Sequence, residues 1–166
     1  MSSPPDNAWP NHGSRPWHRL PSFIRPLDDS FFDEHDLEYL AHKNVFKLLP
    51  EDLAKITIRR YAEYIHPMAP AFDIGEVLNI MAGSSTKQMP LLLYYAMMTA
   101  GLRSVENDII VEHGFSSRSE ARGVCYQKAK VGCQSSFIPK AYRSRFFTIW
   151  ILRQIGLCYA FLPCSS

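Results

Sequence analysis

The chain has 166 residues, 46% of them hydrophobic and 20% charged. That length holds one domain or a piece of one, and the apolar share supplies a packed core. Lysine and arginine (18) exceed aspartate and glutamate (16) by only +2, spread along the chain, so charge alone gives no argument for a nucleic-acid surface. The 4 cysteines, Cys125, Cys133, Cys158 and Cys164, sit at wide and irregular spacings with no Cys-x-x-Cys pair. They read as reduced intracellular thiols; a disulfide belongs to an oxidising compartment, which no secretory leader announces.

Residues 1–25 carry Pro4, Pro5, Pro10, Pro16 and Pro21, with Pro26 next, and read as an extended, flexible arm. Trp9 reads as loose chain. Trp17 and Phe23 are anchors that such an arm lays on a core groove, Phe23 above all. Asp33 to Lys43 predicts a short helix, with Asp33 as its cap, acids in its first turn, and Leu37, Tyr39 and Leu40 on its apolar side. His35 and His42 have no third ligand near them and read as surface histidines.

Pro50 predicts the first residue of the next helix, with Glu51 and Asp52 in its first turn. Leu53, Ile56, Tyr61, Tyr64 and Ile65 fall near one face of that helix, and Lys55, Arg59 and Glu63 fall on the other. Pro67 stops it, by removing a donor and biasing His66 away from helical angles. Pro70 keeps the chain extended, so Met68 and Phe72 are expected to fold back as apolar plugs. His66 is expected to meet free carbonyls at the helix end. The whole His-Pro-x-x-Pro-x-Phe stretch is a corner in a helical protein, with no chemistry visible in it.

Asp73 and Glu76 open another helix in a box-like arrangement, and Gly83 ends it in a left-handed conformation. Pro90 to Ala100 is apolar all round and predicts an enclosed helix, with Leu92, Leu93 and Met97 in the core and Gly101 closing it. Ser104 to Glu112 predicts a shorter helix, stopped by His113-Gly114. Ser117 to Glu120 forms a capping box for a helix running from Arg118 to about Val131. Ala121, Val124, Cys125, Ala129 and Tyr126 face the core in this reading, while Arg118, Arg122, Lys128 and Lys130 form a solvated outer face. Nothing in the sequence places Cys125 and His113 together as a nucleophilic pair.

Several of these pieces, in this order, resemble the opening of the middle homology (regulatory) domain of fungal zinc-cluster transcription factors, above all the cutinase-gene regulators. They are Pro21-Ser22-Phe23-Ile24-Arg25-Pro26-Leu27, Leu37-Glu38-Tyr39-Leu40, and Tyr61…Tyr64-Ile65-His66-Pro67-Met68…Pro70…Phe72-Asp73. Leu91 to Met98 with Gly101, then Gly114 to Arg122, then Tyr126 to Lys130 complete the series. The likeness covers Pro21 to Lys130. Periodicity alone gives a helical chain. The resemblance implies an all-α, irregular bundle of about six or seven helices, with residues 26–131 an N-terminal part of that regulatory domain.

The resemblance further implies regulation of DNA-templated transcription in the nucleus, or a cytoplasmic place if the targeting region is missing. DNA is then read only through a separate zinc cluster, so the chain itself carries no cofactor, and zinc belongs to that cluster in a full-length relative. Protein partners or self-association are expected, and no catalytic, cofactor or metal residue is assigned. The residues singled out are structural: Tyr61, Tyr64, His66, Pro67, Pro70 and Phe72 at the corner, and Leu92, Leu93 and Met97 in the core. The alternative is a standalone interaction module that pairs with a full-length relative. An enzyme is disfavoured by the lack of metal-ligand spacing, a glycine-rich phosphate loop or a nucleophile elbow.

The likeness stops after Lys130, and residues 132–166 form a divergent tail. The run from Phe146 to Pro163 is close to membrane-helix length, but Arg153 in its middle costs about 3 kcal/mol on insertion scales. The tail reads as a divergent core helix, as a C-terminal anchor, or as sequence carried through an intron in a truncated gene model. The abrupt loss of likeness favours the last.

Overall fold

The computed structural model describes residues 19–26, 33–68, 70 and 72–134, with side chains to Val131. The expectations for Trp9 and Trp17, and all three readings of the tail, lie outside the described residues. Among the described residues six α-helices follow one another: α1 (Glu34–His42), α2 (Glu51–Arg60), α3 (Ile74–Met81), α4 (Leu91–Gly101), α5 (Asn107–Glu112) and α6 (Arg118–Gln134). A π-helical turn, Tyr61–Ile65, extends α2, and a 3-10 turn, Leu102–Ser104, follows α4. Among the described residues there is no strand, only a single parallel bridge between Ile24 and Met89. The all-α fold class read from the sequence holds.

Helix α4 is the centre. Every residue in it except Leu93 is buried, Leu92 and Met97 among them, because a helix apolar on all sides has no face to offer water. Leu93 is half-buried at the rim of the core rather than inside it. Helix α6 makes the most extensive contact with α4, followed by α2 and the π turn. Ala121, Cys125 and Ala129 form a stripe of small residues, all fully buried, which lets α6 lie close. On the opposite side Gly101 does the same for α2. A Cβ built there would stand 2.5 Å from the Thr57 carbonyl oxygen and 2.9 Å from Thr57 Cγ2. The sequence assigns Gly101 to helix closure; its φ of -67° is ordinary helix, and the real constraint is the approach of α2.

The π turn reshapes the corner. His66 N–H bonds the Tyr61 carbonyl at 2.9 Å, a loop one residue wider than an α turn. An α-helix repeats every 3.6 residues, so a uniform pitch brings Tyr64 inward. The extra residue moves the buried stripe to Leu53, Thr57, Tyr61 and Ile65 instead, and leaves Tyr64 53% exposed. Met68, expected as a plug, is 76% exposed. Phe72 does fold back: its ring stacks on Tyr61 with centroids 5.8 Å apart and planes 10° from parallel.

Capping follows the sequence in part. The Asp73 carboxylate accepts from Gly75 N–H at 2.9 Å and Glu76 N–H at 3.2 Å. Glu76 does not return the bond; its carboxylate pairs with Lys87. Asp33 sits at the start of α1 but makes no side-chain cap bond. Pro50 lies one residue before α2, with extended ψ of 139°. At α6, Ser117 Oγ accepts from Glu120 N–H, while the Glu120 carboxylate accepts from Ser116 N–H at 2.6 Å, one residue before the usual box partner. Gly83 and Gly114 take φ of 72° and 87°, the left-handed angles that glycine adopts freely. The helix predicted from Ser104 is shorter than expected, because Val105 is extended and α5 begins at Asn107.

Two glycine substitutions separate close approach from helix propensity. Gly101→Ala is expected to destabilise the chain by about 1–3 kcal/mol, since the core must shift to admit a methyl group. Gly123→Ala, where a Cβ meets nothing within 4 Å, is expected to stabilise it by up to about 1 kcal/mol. Urea midpoints of the two variants check both signs.

Candidate functional site

Most of the residues singled out in the sequence belong to the corner. Tyr61 is buried there, and His66 is half-buried, its ring 6.5 Å from that of Tyr61 and 5.9 Å from that of Phe72. His66 Nδ1 meets no hydrogen-bond partner among the described residues, so the expected bond to helix-end carbonyls is not made; its ring packs on aromatics instead. Pro67 and Pro70 are exposed. Tyr64 lies outward, with the Arg60 guanidinium 5.8 Å from its ring centroid. Arg60 also pairs with Glu63 at 3.3 Å and with Glu106, which ties the corner to the start of α5. This is a braced elbow.

The thiol pair can be dismissed on geometry. Cys125 is fully buried in the stripe of α6 that meets α4. Burial pushes its thiol from 9.0 up to about 12, the opposite of an activated nucleophile. His113 Nδ1 lies 2.7 Å from the Ile109 carbonyl, closing the end of α5. No group of three or more His, Cys, Asp or Glu suited to a metal ion is found among the described residues. No helix among them is long and apolar enough to cross a membrane.

The surface feature the sequence does not disclose is a groove of about 690 Å³ between α1 and α6. Tyr39 from α1, half exposed, and Val124 and Val131 from α6 give it apolar surface; Lys43, Lys128 and Lys130 supply its charge. Two residues assigned to a solvated outer face of α6 are not solvated. Arg122 is buried and directs Nε toward the Thr99 carbonyl, 3.4 Å away. Lys128 is half-buried: Nζ donates to the Lys47 carbonyl and lies 5.5 Å from the centre of the Tyr95 ring. Loss of water holds the Lys128 ammonium below its ordinary value of 10.5, and the neighbouring Lys47 charge pushes the same way. The sequence reading sets Lys128 on the outer face of α6; the folded connector between α1 and α2, together with the Tyr95 ring, covers it there.

The chain is 32% identical over 115 residues to a transcription factor of Fusarium pseudograminearum, a match covering 69% of the chain and 13% of the relative. It is 31% identical to cutinase transcription factor 1 beta of Fusarium vanettenii, over 68% of the chain and 13% of that protein. A fusaric acid cluster transcription factor of Gibberella moniliformis matches at 31%, over 60% of the chain and 14% of its own length. These relatives are fungal transcription factors. A cutinase regulator is among them, in agreement with the resemblance carried by the sequence. The chain spans about an eighth of the length of the curated relatives it matches, 13% in the first two. No family model matches the chain. No solved structure matches it.

The buried acids of α4 and α6 set an alkaline limit on stability. Besides Cys125, burial raises the Tyr94 and Tyr95 hydroxyls above their ordinary 10.0. The unfolded chain releases these protons first, so their contribution is full below about pH 9 and is lost as pH rises toward 12. Lys128 acts in the opposite sense as pH approaches 10.5, but it is one partly exposed group against three buried ones. The melting temperature is expected to fall from about pH 9 upward, and Cys125→Ala to delay the onset toward 10.0, where the tyrosines begin to titrate. Thermal melts by circular dichroism between neutral pH and that range check the shift.

Proposed function

We propose that residues 26–131 act as part of the regulatory region of a fungal zinc-cluster transcription factor, modulating its output in the nucleus. The observation that carries this reading is the likeness to named transcription factors at 31–32% identity over 60–69% of the chain. The enclosed helical core and the braced elbow support a scaffolding role over a catalytic one. A Zn2Cys6 cluster takes more cysteines than the 4 present, so base reading and zinc are assigned to a separate segment of a longer protein. Protein partners or self-association are then the direct contacts of this region.

A chimera tests the reading. In the Fusarium vanettenii factor, the stretch matched by this chain is deleted, or replaced by residues 19–134, and a reporter under a responsive promoter is followed. Deletion is expected to change regulated output and the replacement to restore it. A replacement that behaves like the deletion overturns the proposal. The isolated chain is expected to give no sequence-specific shift of duplex DNA, and a tight complex that survives raised salt refutes that part.

A further inference from the structure

We propose that the groove between α1 and α6 is a docking site for an acidic segment of a partner protein that also carries apolar side chains. The charge pattern selects that occupant. On the described surface some cations are matched by carboxylates: Lys55 by Glu51, Arg60 by Glu63 and Glu106, Lys87 by Glu76. Lys43 and Lys130, both exposed at the groove, have no carboxylate partner among the described residues; Lys43 leans only on the Tyr39 ring, at 5.6 Å. Lys47 and Lys128 add their charges beside them. Glu120 also lines the groove; the Ser116 N–H that it accepts holds it below the usual carboxylate range, so it keeps its negative charge. Lys43, Lys128 and Lys130 against Glu120 leave the groove net positive over an apolar lining of Tyr39, Val124 and Val131.

A phosphate polymer fits this place less well than a peptide does. The apolar surface gains nothing from phosphate but does gain from a buried leucine or phenylalanine. A short acidic peptide meets both demands, with carboxylates at Lys43 and Lys130 and an apolar side chain between them. The inference rests on the groove itself and stands whether or not the transcriptional reading does.

The test uses the full chain and a fluorescein-labelled peptide in which Asp and Glu alternate with Leu and Phe, followed by fluorescence anisotropy. The wild-type chain is expected to bind it, and the doubly substituted Lys43→Glu/Lys130→Glu chain about tenfold more weakly. The same variant is expected to bind a version of the peptide with lysine in place of each acid more tightly than wild type does, a reversal that a misfolded variant does not produce. Tyr39→Ala weakens binding, and Lys55→Glu on α2, with a matching helical signal in circular dichroism, leaves it unchanged. Equal binding by wild type and the double variant overturns the proposal. So does equally tight binding of a peptide whose Leu and Phe are replaced by Ser, or tighter binding of a random-sequence DNA duplex.

Discussion

The fold depends on how closely two helices can stand beside α4. Gly101 removes the side chain that would otherwise meet the Thr57 carbonyl, and the small stripe Ala121, Cys125 and Ala129 does the equivalent work on the α6 side. An eleven-residue helix is marginal alone in water. Held between neighbours at this distance, its Tyr94, Tyr95, Met97 and Met98 side chains are lost to solvent completely, and that burial stabilises the helix and its jacket together.

Polar groups inside this apolar body are tied to backbone carbonyls. The Tyr95 hydroxyl donates to the Val45 carbonyl, and the Lys47 carbonyl, 3.2 Å from the same hydroxyl, accepts from Lys128. One connector is thus fastened from α4 and from α6 at once. The Thr57 hydroxyl bonds the Leu53 carbonyl at 2.7 Å and the Thr99 hydroxyl bonds the Tyr95 carbonyl at 2.8 Å, so neither buried hydroxyl is left without a partner. The lysine that ties the connector down also charges the groove beside it, which joins a packing feature to a surface property.

Helix identity was legible because its signals are local. An apolar run bounded by Pro90 and Gly101, the Asp73 cap and the Ser117–Glu120 pair each act within a few residues, and the helices formed where those signals stand. Side-chain direction was less legible wherever it depended on a partner far along the chain. Arg122 and Lys128 look like an outer face until the Thr99 carbonyl and the connector at Lys47 are brought to them. Tyr64 departs from the pattern for a different reason: the pattern assumes one pitch, and the helix changes pitch at Tyr61. The sequence marks Gly101 as punctuation, whereas the fold uses it as a point of close contact. The groove had no sequence signature, since Tyr39, Lys43 and Lys130 become neighbours only through the arrangement of α1 and α6.

The π turn has an asymmetric consequence for how this chain tolerates length changes. Losing one codon between Tyr61 and Ile65, with the wide turn kept, would fill every inner position after it with the next residue along the chain. The polar stretch Ser84 to Lys87, joined to the fold through few bonds, would absorb the same loss by drawing the chain tighter. Comparisons among related chains should accordingly let gaps fall in that loop and hold the elbow at fixed length, or the aromatic stack of Tyr61 on Phe72 will be scored against the wrong neighbours.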